Sequence, residues 1–328
     1  MRFYTVNMDE THTNQNGYLE NNQKNINLRA DIDLVAWRRF RARYALSEPF
    51  AWLEAQRRLF ERLAMINIAP RQILDAAPRA GTGALALAAQ YPLGLVAAHC
   101  ASQYATLMLR GKYKGPFYQR IWNALRGTPA SRVVWSPVVP SVEYDLIVCN
   151  LALTWVADAP EQLAFWARQL APGGVLLFSA LGPDTGRELR RAATDAGWTK
   201  PIAPDFVDMH DYGDMMVQAG LTTPVMDVER LRLTYKSADA LRQDLSGLQG
   251  NIHPKRLPSL AGRGRFERLR AALDVHTPIV FELELVFGHA WKPLATAEKP
   301  ASPLAASTVS LEQLKSTLPS VKQNTKSV

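Results

Sequence analysis

The feature that most constrains this chain is a rhythm of short, unbroken apolar runs separated by helical patterns. Arg71-Gln-Ile-Leu-Asp75 reads as a strand, Gly83 to Gln90 as an Ala-rich helix, and Gly94 to Ala98 as a second strand. Tyr144 to Asn150 then reads as a strand and Pro160 to Leu170 as a helix. After the turn Ala171-Pro-Gly-Gly174, Val175 to Ser179 is another strand. The strands show no alternation of polar and apolar residues, which requires that both faces of their sheet be covered. Strand, helix, strand in this order predicts an α/β fold with a doubly wound, mostly parallel sheet.

Two regions break the rhythm. Residues 34 to 64 predict a basic helical leader in which Trp37, Phe40 and Tyr44, at i, i+3 and i+7, share one face. Residues 206 to about 273 predict a helical cap inserted into the fold, mostly helix and loop. Ile279 to Gly288 then closes the chain as an antiparallel strand, expected at a sheet edge. The first 28 residues hold seven Asn and little periodic hydrophobicity. Residues 1–29 are therefore expected to be a disordered leader. Residues 30–293 are the expected domain, and 294–328 a flexible tail with at most a short helix from Ser310 to Thr317.

With 328 residues the chain can bury one substantial core with additions. No apolar run is long enough to span a bilayer, and Cys100 and Cys149 make neither a disulfide framework nor a metal-ligand spacing. A cytoplasmic location is expected, with no membrane contact, and the six His show no ligand spacing, so no metal is expected. The net charge of +8 favours an acidic partner. Its distribution is uneven, because no Asp or Glu occurs between Asp75 and Glu143. Two basic stretches, Arg110 to Arg132 and His253 to Arg270, read either as docking surfaces or as solvated faces. Nucleic acid is the lesser reading, since no nucleic-acid motif accompanies them.

In an open parallel sheet, ligands bind beyond the carboxyl ends of the strands, near the point where strand order reverses. That directs attention to Asp75 and the loop Ala76-Ala-Pro-Arg-Ala-Gly-Thr-Gly83. The loop resembles the glycine loop of S-adenosylmethionine-dependent class I methyltransferases, Asp-x-Gly-x-Gly-x-Gly. The segments Asn150-Leu-Ala-Leu-Thr-Trp155, Leu170-Ala-Pro-Gly-Gly-Val-Leu-Leu-Phe-Ser179 with its continuation to Leu189, and Phe287-Gly-His-Ala-Trp-Lys-Pro293 are similar to the malonyl-acyl-carrier-protein O-methyltransferases of biotin synthesis. The likeness spans about residues 34 to 293, the middle segment being the most specific.

The resemblance implies a class I methyltransferase-like fold with a seven-stranded sheet. It also implies methyl transfer from S-adenosylmethionine to a carboxylate of a carrier-bound acyl group, with acyl carrier protein as the acidic partner. Carried over position by position, it implies a donor site at Asp75, Ala77, Arg79, Gly81, Gly83, Cys100 and Asn150. Here the chain departs from the pattern. The first two family glycines are Ala77 and Arg79, and only the third survives as Gly81, although a shifted reading uses Gly81-Thr-Gly83. The ribose-binding acid at the end of the second strand is replaced by Cys100 or, one residue away, by His99. Val133 to Val139 carries no acid for the third contact. The resemblance makes Tyr44 a candidate for an aromatic lid, although the leader aromatics read equally as packing, and Arg187 a candidate to hold the acceptor carboxylate. Asp184 and Thr185 read as caps of the helix that contains Arg187. Two functional readings stand: an O-methyltransferase of this kind, and a catalytically silent binding or regulatory module on the same fold.

Overall fold

The computed structural model describes residues 33–43, 45–114, 128–248, 250–256 and 263–294. The expected leader 1–29, the tail with its short helix from Ser310, Tyr44, and parts of both basic stretches lie outside the described residues. Two helices open the body, α1 (Leu34–Arg43) and α2 (Phe50–Met65). Then follow β1 (Gln72–Asp75), α3 (Thr82–Gln90), β2 (Leu95–His99), α4 (Gln103–Lys114), β3 (Val133–Ser136) and β4 (Tyr144–Cys149). The chain continues through α5 (Ala159–Gln169), β5 (Leu170–Leu181), α6 (Arg187–Asp195), α7 (Met209–Gln218), β6 (Thr222–Tyr235), α8 (Ala238–Leu248), α9 (Arg263–Asp274) and β7 (Ile279–Trp291).

The seven strands lie in the order β3-β2-β1-β4-β5-β7-β6. All pairs from β3 to β5 are parallel, and β7 is antiparallel to both β5 and β6. Order reverses between β1 and β4, so the crevice above their carboxyl ends is the ligand position this topology offers. Asp145 fixes the start of the central pair, its carboxylate accepting the N–H groups of Arg71 (2.7 Å) and Gln72 (2.9 Å).

Successive strand residues point to opposite faces, which splits the core in two. Ile73, Val96, Leu146, Val148 and Leu177 pack against α2, α3 and α4 with α6, α8 and α9. Leu74, Ile147, Leu176 and Phe178 pack against α5 and α7. The helices begin where the local chemistry directs. Asp158 accepts the Glu161 N–H at 2.9 Å to open α5, with Pro160 in the first turn, and Asp208 does the same for His210 to open α7.

The structure corrects three expectations. The stretch 206–273 holds, besides its helices and loops, the fourteen-residue strand β6, which the sequence reading did not place. Asp227, Glu229, Arg230 and Arg232 interrupt the apolar residues of β6 because one side of an edge strand faces solvent, and the pattern reads as polar. The last strand is consequently not the edge. β7 is sandwiched between β5 and β6, and β6 closes the sheet. Finally, Asp184 and Thr185 do not cap α6. Its N-cap is Gly186 in the left-handed region (φ +66°), without a side-chain cap. Thr185 is turned instead to β7, where its Oγ1 accepts the Glu284 N–H at 3.1 Å, and Asp184 accepts a hydrogen bond from Arg230 at 2.9 Å.

Candidate functional site

Asp75 ends β1 with its side chain buried, 5% exposed, and Oδ1 accepting the Ala77 N–H at 3.1 Å. Burial pushes its carboxyl up to about 7; the Ala77 N–H opposes this and the negative Glu48 adds to it. The ladder continues one residue further, as the Ala76 N–H donates to Val148 O at 2.9 Å. Pro78 to Gly81 then form a tight turn closed by Gly81 N–H to Pro78 O at 2.6 Å. Two residues of the turn are left-handed, Arg79 at φ +43° and Gly81 at φ +95°. The conformation suits glycine and costs an ordinary residue about 1–2 kcal/mol.

The glycines make room for the chain's own side chains. A Cβ on Gly81 would stand 2.6 Å from the Trp135 ring and 2.8 Å from the Tyr113 ring, which stack on each other with centroids 5.3 Å apart. Tyr113 Oη also donates to Ala80 O at 2.6 Å and so ties α4 to the turn. A Cβ on Gly83 would meet Gln56 Oε1 at 2.9 Å and Asp75 Oδ2 at 3.2 Å.

The side chain of Arg79 folds inward and leaves the residue 7% exposed. Its guanidinium lies 4.2 Å over the Trp52 ring of α2, and Nη2 donates to Gly247 O near the end of α8 at 2.8 Å. Burial lowers its pKa to about 10, so it stays charged at neutral pH. Glu48, just before α2, accepts from Thr82 Oγ1 at 3.0 Å and from Thr82 N–H at 3.3 Å, and Gln56 Nε2 donates to the same hydroxyl at 3.1 Å. At the end of β4, buried Asn150 gives its amide to Trp52 O at 3.0 Å, while its carbonyl accepts from Ser179 Oγ at 2.7 Å. Ser179 Oγ in turn accepts the Leu151 N–H at 2.9 Å. Cys100, after β2, is 2% exposed with Sγ 3.5 Å from Ala98 O, and burial raises its thiol pKa.

The structure thus brings Asp75, Ala77, Arg79, Gly81 and Gly83 into one loop and joins Asn150 to it through Trp52, with Cys100 at the end of the neighbouring strand. Arg187 stands apart. It is an exposed side chain near Asp184 (3.3 Å) and Glu282 (3.7 Å), with Arg230 and Arg232 on the same two acids. Trp37 of α1 donates to Trp155 O, and Asp33, which opens α1, pairs with Arg256. Sequence reasoning missed Glu48, Trp52, Gln56 and Gly247. The first three recur every four residues, a spacing that would have flagged one inward face.

A pocket of about 540 Å³ lies elsewhere, lined by Arg62 of α2, Asp227 and Glu229 of β6, and Phe287, His289 and Trp291 of β7, with none of the loop residues. Among the described residues no group of three or more His, Cys, Asp or Glu could hold a metal ion, and no helix is long and apolar enough to cross a membrane.

A methyltransferase-domain family model matches residues 37–223. The malonyl-[acyl-carrier protein] O-methyltransferase of Gallionella capsiferriformans is 35% identical over 243 residues, covering 72% of this chain and 82% of the relative. That of Laribacter hongkongensis is 36% identical over 247 residues, covering 73% and 81%. The chain belongs to the malonyl-[acyl-carrier protein] O-methyltransferase family. Its strand order, with β7 alone reversed, is the sheet of the class I methyltransferase fold. Among solved structures it is similar to the N-methyltransferase NodS of Bradyrhizobium japonicum WM9, a complex with S-adenosylhomocysteine, at 15% identity and a TM-score of 0.43, covering 79% of this chain and 99% of that one.

S-adenosylmethionine, the donor that the resemblance implies, would meet three departures from the family pattern here. A sulfonium needs a counter-charge or an open polar crevice, yet the group buried over the switch point is itself a guanidinium. The two ribose hydroxyls need an acceptor pair after β2, and that position holds His99 and the inward-turned Cys100. Asp75 is committed to its own loop.

Proposed function

We propose that this chain binds an acyl carrier protein bearing an acyl group with a free carboxylate, the partner class named for its relatives. It does so as a binding or regulatory member of the family, without ordinary methyl turnover. The observation that carries the reading is the cationic rim beyond β5. Arg187, Arg230 and Arg232, each more than half exposed, pair with Asp184 and Glu282. Glu188 and Glu284 stand close by, accepting the Glu282 and Asp184 N–H groups, so the rim presents exposed guanidinium groups over a set of acids, with Arg190 and Arg191 nearby in sequence on a chain that carries +8. Exposed guanidinium groups suit both an acidic protein surface and a bidentate carboxylate contact.

The test is equilibrium binding of the full chain to malonyl-loaded and to unloaded carrier protein at low and high salt. Tighter binding of the loaded form, weakened by salt and reduced about tenfold by the pair Arg230→Ala and Arg232→Ala, is the expected result. Equal affinity for both carriers, or indifference to salt, would remove the reading.

A second reading, methyl transfer with a donor held differently, is favoured by Gly81-Thr82-Gly83 at the start of α3 together with the 35–36% identity to the relatives. It requires the β1–α3 loop to open away from Trp52 and Trp135.

A further inference from the structure

We infer that Arg79 and Glu48 occupy, within the chain itself, the places of the positive and negative ends of a zwitterionic donor, so the protein closes its own donor crevice and Arg79 is the plug. The inference stands on the crevice alone and does not rest on the carrier-binding reading.

Position comes first. The strand order reverses between β1 and β4, and Arg79 leaves the loop after β1 to lie over Trp52, whose carbonyl is held by Asn150 at the end of β4. The guanidinium therefore covers the switch point, where a ligand of this fold would lie. The face of an indole attracts a cation, and here it already holds one at 4.2 Å. A carbonyl that could have faced a ligand, that of Gly247, accepts from Arg79 Nη2 at 2.8 Å.

The anionic end is filled in the same manner. The first N–H groups of a helix are the natural seat of a carboxylate or phosphate. At α3 that seat is taken by Glu48, which accepts from both the backbone and the hydroxyl of Thr82. A ligand carrying a cation and a carboxylate meets one of its own kind at each end. No acid between residues 76 and 142 offers an alternative counter-charge.

The plug is held from two sides. Arg79 joins the β1–α3 loop to α2 through Trp52 and to α8 through Gly247, and Gly247 is packed so closely on Pro49 that a Cβ would stand 3.0 Å from it. The segment before α2 that supplies Glu48 is thereby pinned beneath the end of α8. Arg79 adopts its left-handed backbone at φ +43°, which Gly would adopt without strain, so Arg79→Gly frees the crevice and relaxes the turn together.

The experiment is calorimetric titration of the full chain with S-adenosylhomocysteine and S-adenosylmethionine, accompanied by thermal shift, on the wild type, Arg79→Gly and Arg79→Ala. The wild type should show no binding at millimolar ligand. Whichever variant keeps the wild-type circular dichroism should bind S-adenosylhomocysteine at least tenfold more tightly than the wild type and rise in Tm with it. Micromolar binding by the wild type would overturn the inference without any variant. So would a folded variant as blind to both ligands as its parent. Failure of the carrier-protein experiment leaves all of these outcomes unchanged.

Discussion

Replacing Asp75 by Asn should make the stability of this protein less dependent on pH, in a direction opposite to that of most acids. A carboxyl with an ordinary value of 3.8 is held at about 7, because burial disfavours its charge, and Glu48 adds repulsion that the Ala77 N–H only partly offsets. The folded state thus binds the proton more tightly than the unfolded state. Ionised Asp75 destabilises the fold in full above pH 7, and the penalty is relieved as the pH falls towards 4. The full span between the two values corresponds to about 4 kcal/mol, of which about 2 kcal/mol falls between pH 5.5 and 8. Asn keeps the acceptor for the Ala77 N–H and removes the charge. Urea unfolding followed by tryptophan fluorescence should show the wild type losing about 2 kcal/mol relative to Asp75→Asn across that interval. Glu48→Gln should move the window to lower pH. A wild-type minus variant difference that stays flat from pH 5.5 to 8 would refute the reasoning.

Three further outcomes are expected. Ser179→Ala leaves Asn150 Oδ1 and the Leu151 N–H without their shared hydroxyl in a fully buried place, and should cost about 1–3 kcal/mol in denaturant unfolding. Gly288→Ala drives a methyl to 2.7 Å from the buried Phe178 ring and 2.9 Å from Met226 Sδ, and should cost about 1–3 kcal/mol with a lowered Tm. Arg62→Ala removes the link from α2 to Asp227 and Glu229 of the edge strand and a guanidinium 3.8 Å over Phe287. It should cost about 1–3 kcal/mol and speed hydrogen exchange in β6 before the other strands.

How much of this was legible depended on whether one residue's neighbours in sequence were also its neighbours in space. β1, β2, β4 and β5 could be read because a strand buried on both faces carries an apolar run, as Leu146 to Cys149 does. β6 could not, since its edge position lets Asp227, Glu229, Arg230 and Arg232 stand among the apolar residues. β7 was found but set at the edge, because nothing in Ile279 to Trp291 says that an unseen strand lies beyond it. In the candidate site the sequence displayed the departures at Ala77, Arg79 and Cys100 without showing their consequence. The consequence comes from Trp52 and Gly247, which reach Arg79 from α2 and α8 and meet it only through packing, and from the charge of Glu48 before α2. The capping role expected of Asp184 and Thr185 failed for a related reason. Their partners, Arg230 and Glu284, are supplied by strands that follow much later.

The central claim, that this family member engages its carrier partner while its donor crevice is shut, is tested most directly by one measurement. Purified protein is incubated with malonyl-loaded carrier protein and S-adenosylmethionine labelled in its methyl group, and label on the carrier is counted beside a parallel binding curve. Saturable carrier binding with no label above the protein-free background is the expected result. Label accumulating over many turnovers by the wild-type chain would contradict it.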